Sequence, residues 1–289
     1  MRDLFGEVEL FREALIFTQQ QYGFPERLIE KDYLCSLMLE FLSGAHGDLV
    51  FKGGTCLAKV HADFYRLSED LDFAIPMPID APRSARSRQG GRLKDIVAAL
   101  PHEFPYVQVI EPLTGANNST QYNAVIGYTS SIARREETIK IEVGLREPLL
   151  QPPLTGEVKT ILLDPVSGQT LIPTGKVLCI SRREAFAEKF RAALSRQEVA
   201  IRDFFDIDYA VRTLGLQPDD ETLVELVQAK LAVPGNEPVN VSPERLTTLR
   251  QQLVSQLEPV LRERDFRAFD LDRAFGVVAD MAGRLSVRS

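Results

Sequence analysis

The stretch Leu49-Val50-Phe51-Lys52-Gly53-Gly54-Thr55-Cys56-Leu57-Ala58-Lys59, followed by Ser68-Glu69-Asp70-Leu71-Asp72-Phe73-Ala74-Ile75, decides the fold. Leu49 to Lys52 is a short run of strand type that ends on two glycines. From Thr55 to Tyr65 the spacing of Leu57, Val60 and Phe64 is helical, and Leu71 to Ile75 reads as a second strand. Strand, glycine turn, helix, strand makes a compact α/β unit.

The same stretch carries the chemistry. Asp70 and Asp72 are one residue apart on a predicted strand, so their side chains leave the same face while Leu71 points inward. Two neighbouring carboxylates repel unless cations neutralise them, which is a reason to expect a divalent metal, Mg²⁺ first and Mn²⁺ as the other candidate. An isolated Asp-x-Asp is more often a solvated pair at a strand end; the glycine turn upstream shifts that balance. Gly53 and Gly54 let the backbone approach a ligand closely, and the helix that follows offers N–H groups to a phosphate. Thr55 adds a hydroxyl, and Lys59 a cation one turn later. The spacing fits neither a Walker A loop nor a dinucleotide fingerprint. A phosphate cradle facing two acids is what nucleotidyl transfer requires.

Upstream, Val8 to Leu42 reads as two helices broken at Tyr22-Gly23-Phe24-Pro25. Downstream, Pro76 to Gly91 reads as an exposed loop whose Arg83, Arg86 and Arg88 serve either a solvated connection or a nucleic-acid contact. Leu93 to Leu100 is expected as a helix, then strands near Val107 to Ile110, Gln121 to Tyr128 and Thr138 to Leu145. In the last, Ile139, Ile141 and Val143 alternate with Lys140 and Glu142. Glu142 is therefore the candidate third carboxylate, a proton acceptor for an attacking hydroxyl, or else a surface acid paired with Lys140 or Arg146. After Pro173-Thr174-Gly175 helical periodicity takes over, in Arg182 to Ser195, Val199 to Leu214, Asp220 to Ala232, Pro243 to Arg262 and Asp270 to Arg284. The expected division is 1–175 for the α/β domain with its N-terminal helices and 176–289 for a helical domain that completes the active-site cleft.

Composition limits the alternatives. A net charge of −7 over 289 residues argues against coating nucleic acid by global attraction. Cys35, Cys56 and Cys179 are odd in number and lie in apolar runs, which favours buried thiols over a disulfide framework. His46, His61 and His102 show no metal-ligand spacing and there is no Cys-x-x-Cys, so no zinc site is expected. No apolar run approaches the ~18 residues of a membrane span, and Met1 to Glu7 lacks the features of a signal peptide, so the expectation is a cytoplasmic protein without a membrane partner.

Phe51 to Lys59, then Arg66-Leu67-Ser68-Glu69-Asp70-Leu71-Asp72-Phe73, preceded by Ile29-Glu30-Lys31-Asp32-Tyr33, closely resembles the AbiEii/AbiGii toxin family of nucleotidyltransferases, to which the mycobacterial MenT toxins are related. The resemblance is specific over Ile29 to Phe73 and continues more loosely through Glu184 to Asp206. It implies a DNA-polymerase-β-like nucleotidyltransferase fold with a C-terminal helical domain. It also implies that Asp70 and Asp72 bind metal, and that Ser68 is a nucleotide-site serine open to modification in some relatives. Arg183 to Leu194, with Glu184, Glu188 and Lys189, resembles the family's third motif, whose lysine contacts nucleotide phosphates. Arg202-Asp203-Phe204-Phe205-Asp206 resembles the fourth, an acid on the helical domain. Read alone, Lys189 is equally a lysine paired with a nearby acid, and Asp203 with Asp206 equally a salt-bridge cluster on one helix face. The implied activity is transfer of a nucleoside monophosphate from a nucleoside triphosphate to an RNA acceptor, the tRNA 3′ end foremost. Translation would be blocked, and an antitoxin would be encoded alongside. The rivals are a kinase-like or self-modifying phosphotransferase and a degenerate nucleotide-binding regulatory module.

Overall fold

The computed structural model describes residues 4–171 and 175–287. Met1 to Asp3, and the Pro173-Thr174 at which the change of character was read, lie outside the described residues. The chain divides into two compact units, Met1–Ile180 and Ser181–Ser289.

The first unit opens with two helices, α1 (Val8–Tyr22) and α2 (Glu26–Ala45). Gly23, at φ 77°, ends α1 in the left-handed conformation that glycine adopts without strain. Next come strand β1 (Val50–Lys52), helix α3 (Gly53–Cys56), a π turn at Leu57–His61, and strand β2 (Leu71–Ala74). The helix expected to reach Tyr65 therefore stops at His61. Helices α4 (Arg83–Ala98) and α5 (Leu100–Glu103) precede strands β3 (Val107–Ala116), β4 (Gln121–Thr129), β5 (Glu136–Gly144), β6 (Leu154–Val158) and β7 (Gly175–Cys179). The seven strands form one mixed sheet in the order β3-β4-β5-β2-β1-β7-β6. In this sheet β2 runs antiparallel to β1 and parallel to β5, and β1 runs parallel to β7. Phe51, Leu71, Phe73, Ile139, Ile141 and Val143 fill the core on one side of its central strands.

The expected loop at 76–91 is instead mostly helix. Pro82, at φ −68° and ψ 150°, leads the chain into α4. Gly90, which reads as a breaker, sits inside that helix because Tyr122 packs against it: a Cβ there would come within 2.2 Å of the ring. Packing overrides the poor helix propensity of glycine, which costs only about 1 kcal/mol.

The second unit is helical, with α6 (Arg182–Ser195), α7 (Ile201–Thr213), α8 (Glu221–Leu231), α9 (Pro243–Gln252), α10 (Glu263–Ala268) and α11 (Leu271–Val287). Ser181 caps α6 by accepting from the Glu184 N–H, and Asp220 caps α8 in the same way from Thr222 and Leu223. The single helix expected over 243–262 ends at Gln252 and passes through a π turn at Leu253–Leu257 and a 3₁₀ turn at Glu258–Val260. Pro259 has no N–H to continue an α-helix. Phe186, Phe190, Phe204, Phe205, Val278 and Met281 form this unit's core.

Candidate active site

The glycine turn packs against one of the two acids, Asp72. Gly53 has φ 72°, and a Cβ there would lie 2.0 Å from Asp72 Oδ2. A Cβ on Gly54 would lie 2.5 Å from an Arg66 guanidinium nitrogen and 3.4 Å from Ser68 Oγ. Both glycines are thus demanded by close approach, the first by the Asp72 carboxylate and the second by Arg66 and Ser68. Asp72 is half-buried between buried Leu71 and Phe73, and Asp70 stands one residue before the strand.

Strand register aligns further polar groups with Asp72. Lys52 of β1 pairs with Asp72, Asp72 with Glu142 of β5, and Glu142 with Asn123 of β4. Residues opposite one another in a sheet project from one face, so Lys52, Asp72, Glu142 and Asn123 form a row across four strands. Glu142 is exposed on that row, beside Asp72. Lys52 and Arg66 escaped the sequence reading as site residues. Their signal was a cation directly before the glycines and another set among apolar residues two positions before Ser68.

Two expected phosphate ligands are otherwise engaged. Lys59 is 2% exposed, and its ammonium is bound by the Asp32 carboxylate, by Ser36 Oγ at 2.8 Å and by the Asp32 and Lys159 carbonyls at 3.2 Å each. It is a buried structural cation and not a phosphate ligand. Thr55 is 1% exposed and donates its hydroxyl hydrogen to the Asp70 carbonyl, so it clips the acid-bearing segment to the glycine turn instead of presenting a hydroxyl outward.

Glu30, Lys31 and Asp32 of α2 turn inward because each finds a partner. Glu30 accepts from Ser130 Oγ at 2.6 Å, Ser131 N at 2.7 Å and Ser131 Oγ at 2.6 Å. Lys31 lies 3.6 Å from Glu69 and 3.7 Å from Glu137. Asp32 also accepts from Thr160 Oγ1 and Ile161 N at 3.0 Å each. Burial pushes the Glu137 carboxyl upward, but Arg135, Arg27 and Lys31 outweigh it and hold the group below its ordinary value.

In the helical unit, Lys189 Nζ lies 2.7 Å from Asp203 Oδ1 and 2.8 Å from Asp206 Oδ2. Three of the residues singled out by sequence are therefore brought together, and both acids are buried. Glu184 and Glu188 take a different partner, Lys230, at 2.7 Å and 3.1 Å.

Of the three arginines weighed as a nucleic-acid contact, Arg86 is removed, since it is buried and donates to the Ile79 carbonyl at 2.7 Å. Arg83 and Arg88 stay exposed on α4. In the helical unit Arg182 and Arg183 are exposed, Arg182 donating to the Leu214 carbonyl at 2.7 Å and Arg183 pairing with Asp220 at 3.1 Å. Arg191 pairs with Glu188 at 3.8 Å, and Arg196 with Asp203 at 3.4 Å.

The spacing of the histidines and cysteines gives no metal site, yet the fold brings three of them together. Among the described residues, Cys56, His61 and Cys179 bring one ligand atom each to within 4.8 Å of one another. All three cysteines are buried, as their apolar surroundings predict.

The model of a family described as nucleotidyl transferase AbiEii toxin, type IV toxin–antitoxin system, matches residues 37–277. The chain is similar in structure to MenT4, a nucleotidyltransferase toxin from Mycobacterium tuberculosis, at TM-score 0.52 and 18% identity over 86% of this chain and 84% of that one. It is also similar to JHP933 from Helicobacter pylori, at TM-score 0.51 and 16% identity over 92% and 94% of the two chains. At such identity these likenesses establish the fold. No curated protein matches the sequence.

Proposed function

The chain belongs to the AbiEii nucleotidyltransferase toxin family of type IV toxin–antitoxin systems, and from that premise we propose that it transfers a nucleoside monophosphate to the 3′ end of tRNA in the cytoplasm, blocking translation. Membership makes it a nucleotidyltransferase that takes a nucleoside triphosphate and has a cognate antitoxin. The observation that carries the finer reading is the contact of Gly53 with Asp72, on a strand whose register sets Asp72 beside Glu142.

The roles follow from that arrangement. Asp70 and Asp72 supply only oxygen donors, which suits a hard divalent cation such as Mg²⁺ that completes its shell with water and substrate phosphate. When bound, the ion offsets triphosphate charge and assists departure of pyrophosphate. Gly53 and Gly54 let Asp72, Arg66 and Ser68 close on the turn, and the triphosphate is assigned to the face beside them. Glu142 accepts the proton of the attacking ribose hydroxyl. Lys52 adds positive charge on the same row. In the helical unit, Lys189 is assigned to the phosphates, with Asp203 and Asp206 orienting its ammonium.

The test is incubation of the protein with total tRNA and each nucleoside triphosphate labelled at the α- or the γ-phosphate, with Mg²⁺. The expected result is α-label on tRNA that disappears in Asp70→Ala and Asp72→Ala. No transfer with any nucleotide, or transfer unaffected by both substitutions, refutes the proposal; γ-label on the protein would establish the phosphotransferase alternative.

A further inference from the structure

We propose that Cys56, His61 and Cys179 form a second metal site, separate from Asp70 and Asp72, that binds zinc through two thiolates and one imidazole. The residues are distant in sequence but converge in the first unit. Cys56 ends α3, the helix that opens with the glycine turn; His61 ends the π turn that follows; Cys179 ends β7, beside β1 with Phe51 as its register partner. Their ligand atoms lie within 4.8 Å of one another, close enough for one tetrahedral ion to span with slight adjustment. Two sulfurs and a nitrogen are a soft donor set, which selects zinc over the hard cations that suit Asp70 and Asp72.

The surroundings are those of a built ligand site. His61 Nε2 lies 2.9 Å from the Ile180 carbonyl. Donation of Nε2–H to that oxygen fixes the tautomer and leaves the Nδ1 lone pair for a metal, the second contact commonly found behind a ligating histidine. Gly156 of β6 lies directly over Cys179: a Cβ there would stand 3.1 Å from its sulfur and 2.6 Å from Val60 Cγ1. The glycine thereby admits the strand backbone against the thiol. Both cysteines are 0% exposed, whereas His61 is half-exposed and gives an ion its way in.

Binding displaces the two thiol protons and forms two Zn–S bonds and one Zn–N bond, with no change of oxidation state. The consequence is mechanical: the ion ties the helix carrying the glycine turn to the neighbouring strand β7. Three protein ligands leave a fourth position for water.

The full-length protein, purified under reducing conditions from zinc-supplemented medium, is expected to carry about one equivalent of zinc. After removal of the zinc, titration with Co²⁺ is expected to give thiolate-to-metal charge-transfer bands and the intense ligand-field bands of a tetrahedral site. Cys56→Ser and Cys179→Ser lose these bands while Asp70→Ala keeps them. Alkylation of the wild type through its urea transition, followed by mass spectrometry, keeps the test decisive if a serine variant does not fold: zinc must shift labelling of Cys56 and Cys179 to higher urea. The proposal is overturned if folded wild type holds no zinc and shows no cobalt–thiolate band, if alkylation is indifferent to zinc, or if Cys56 and Cys179 emerge joined as a disulfide.

Discussion

Replacing Gly53 by alanine separates the backbone requirement of the glycine turn from its role in placing Asp72. Two effects are combined in that substitution. Gly53 has φ 72°, so alanine there pays the left-handed penalty of about 1–2 kcal/mol. In addition, the new Cβ would lie 2.0 Å from Asp72 Oδ2, whereas ordinary contact begins at 3.4 Å. The carboxylate must withdraw by more than about 1 Å, a displacement of a reacting group that lowers turnover on the order of a hundredfold. Gly23 supplies the control: its φ is 77° and nothing lies within 4 Å of its Cβ position, so Gly23→Ala carries the backbone penalty alone. Urea denaturation of both variants is expected to show similar losses of about 1–2 kcal/mol. Label transfer to tRNA, measured well below the unfolding transition, is expected to fall only in Gly53→Ala. Equal activity in the two variants, with Gly53→Ala folded, would refute the argument that Gly53 is glycine for the sake of Asp72.

Glu142→Gln is exposed and should fold normally while lowering kcat by about 10²- to 10⁴-fold, as expected for a lost general base; unchanged kcat would make Glu142 a surface acid. Lys59→Met strands the buried Asp32 carboxylate and should cost about 3–5 kcal/mol in chemical denaturation, whereas a raised KM for nucleotide at undiminished stability would restore Lys59 as a phosphate ligand. Burial raises the Cys35 thiol from 9.0 to about 12, so at pH 8 only about one molecule in 10⁴ is ionised and iodoacetamide should spare it until the protein unfolds. The linked stability has a definite sign: unfolding lets Cys35 ionise at 9.0, so its contribution is complete below that pH and declines as pH rises towards about 12, which denaturation midpoints of wild type and Cys35→Ala will compare.

What was legible in the sequence was local. The glycine doublet and the strands bearing Asp72 and Glu142 follow from short-range geometry, and the fold brings Gly53, Asp72 and Glu142 together, while Asp70 falls just before its strand. Lys59 was misread because its partner, Asp32, lies 27 residues away on another helix. Arg86 and Gly90 were assigned to a loop because prolines and glycines imitate one, and the tyrosine that explains Gly90 lies on β4. Strands β6 and β7 span only 5 residues each, too short for alternation to announce them. Cys56, His61 and Cys179 fail every spacing rule for metal ligands because one member arrives on a strand more than a hundred residues later.

The resemblance rested partly on Ile29-Glu30-Lys31-Asp32-Tyr33, and the structure supplies a physical reason for its place beside the acid-bearing segment. Asp32 holds Lys59, behind the glycine turn, and Glu30 holds the Ser130-Ser131 corner between β4 and β5. Lys31 bridges Glu69, two residues before β2, and Glu137 near the start of β5. Those are the two parallel strands whose register sets Asp72 opposite Glu142. A slip of one residue between them would turn Glu142 to the other face of the sheet and remove it from Asp72. Ion pairs buried to this degree add little net stability, because desolvation offsets their attraction, but they penalise an arrangement that separates the partners. The α2 charges are accordingly best understood as register locks, with the carboxylates of the site aligned by residues that do not themselves belong to it.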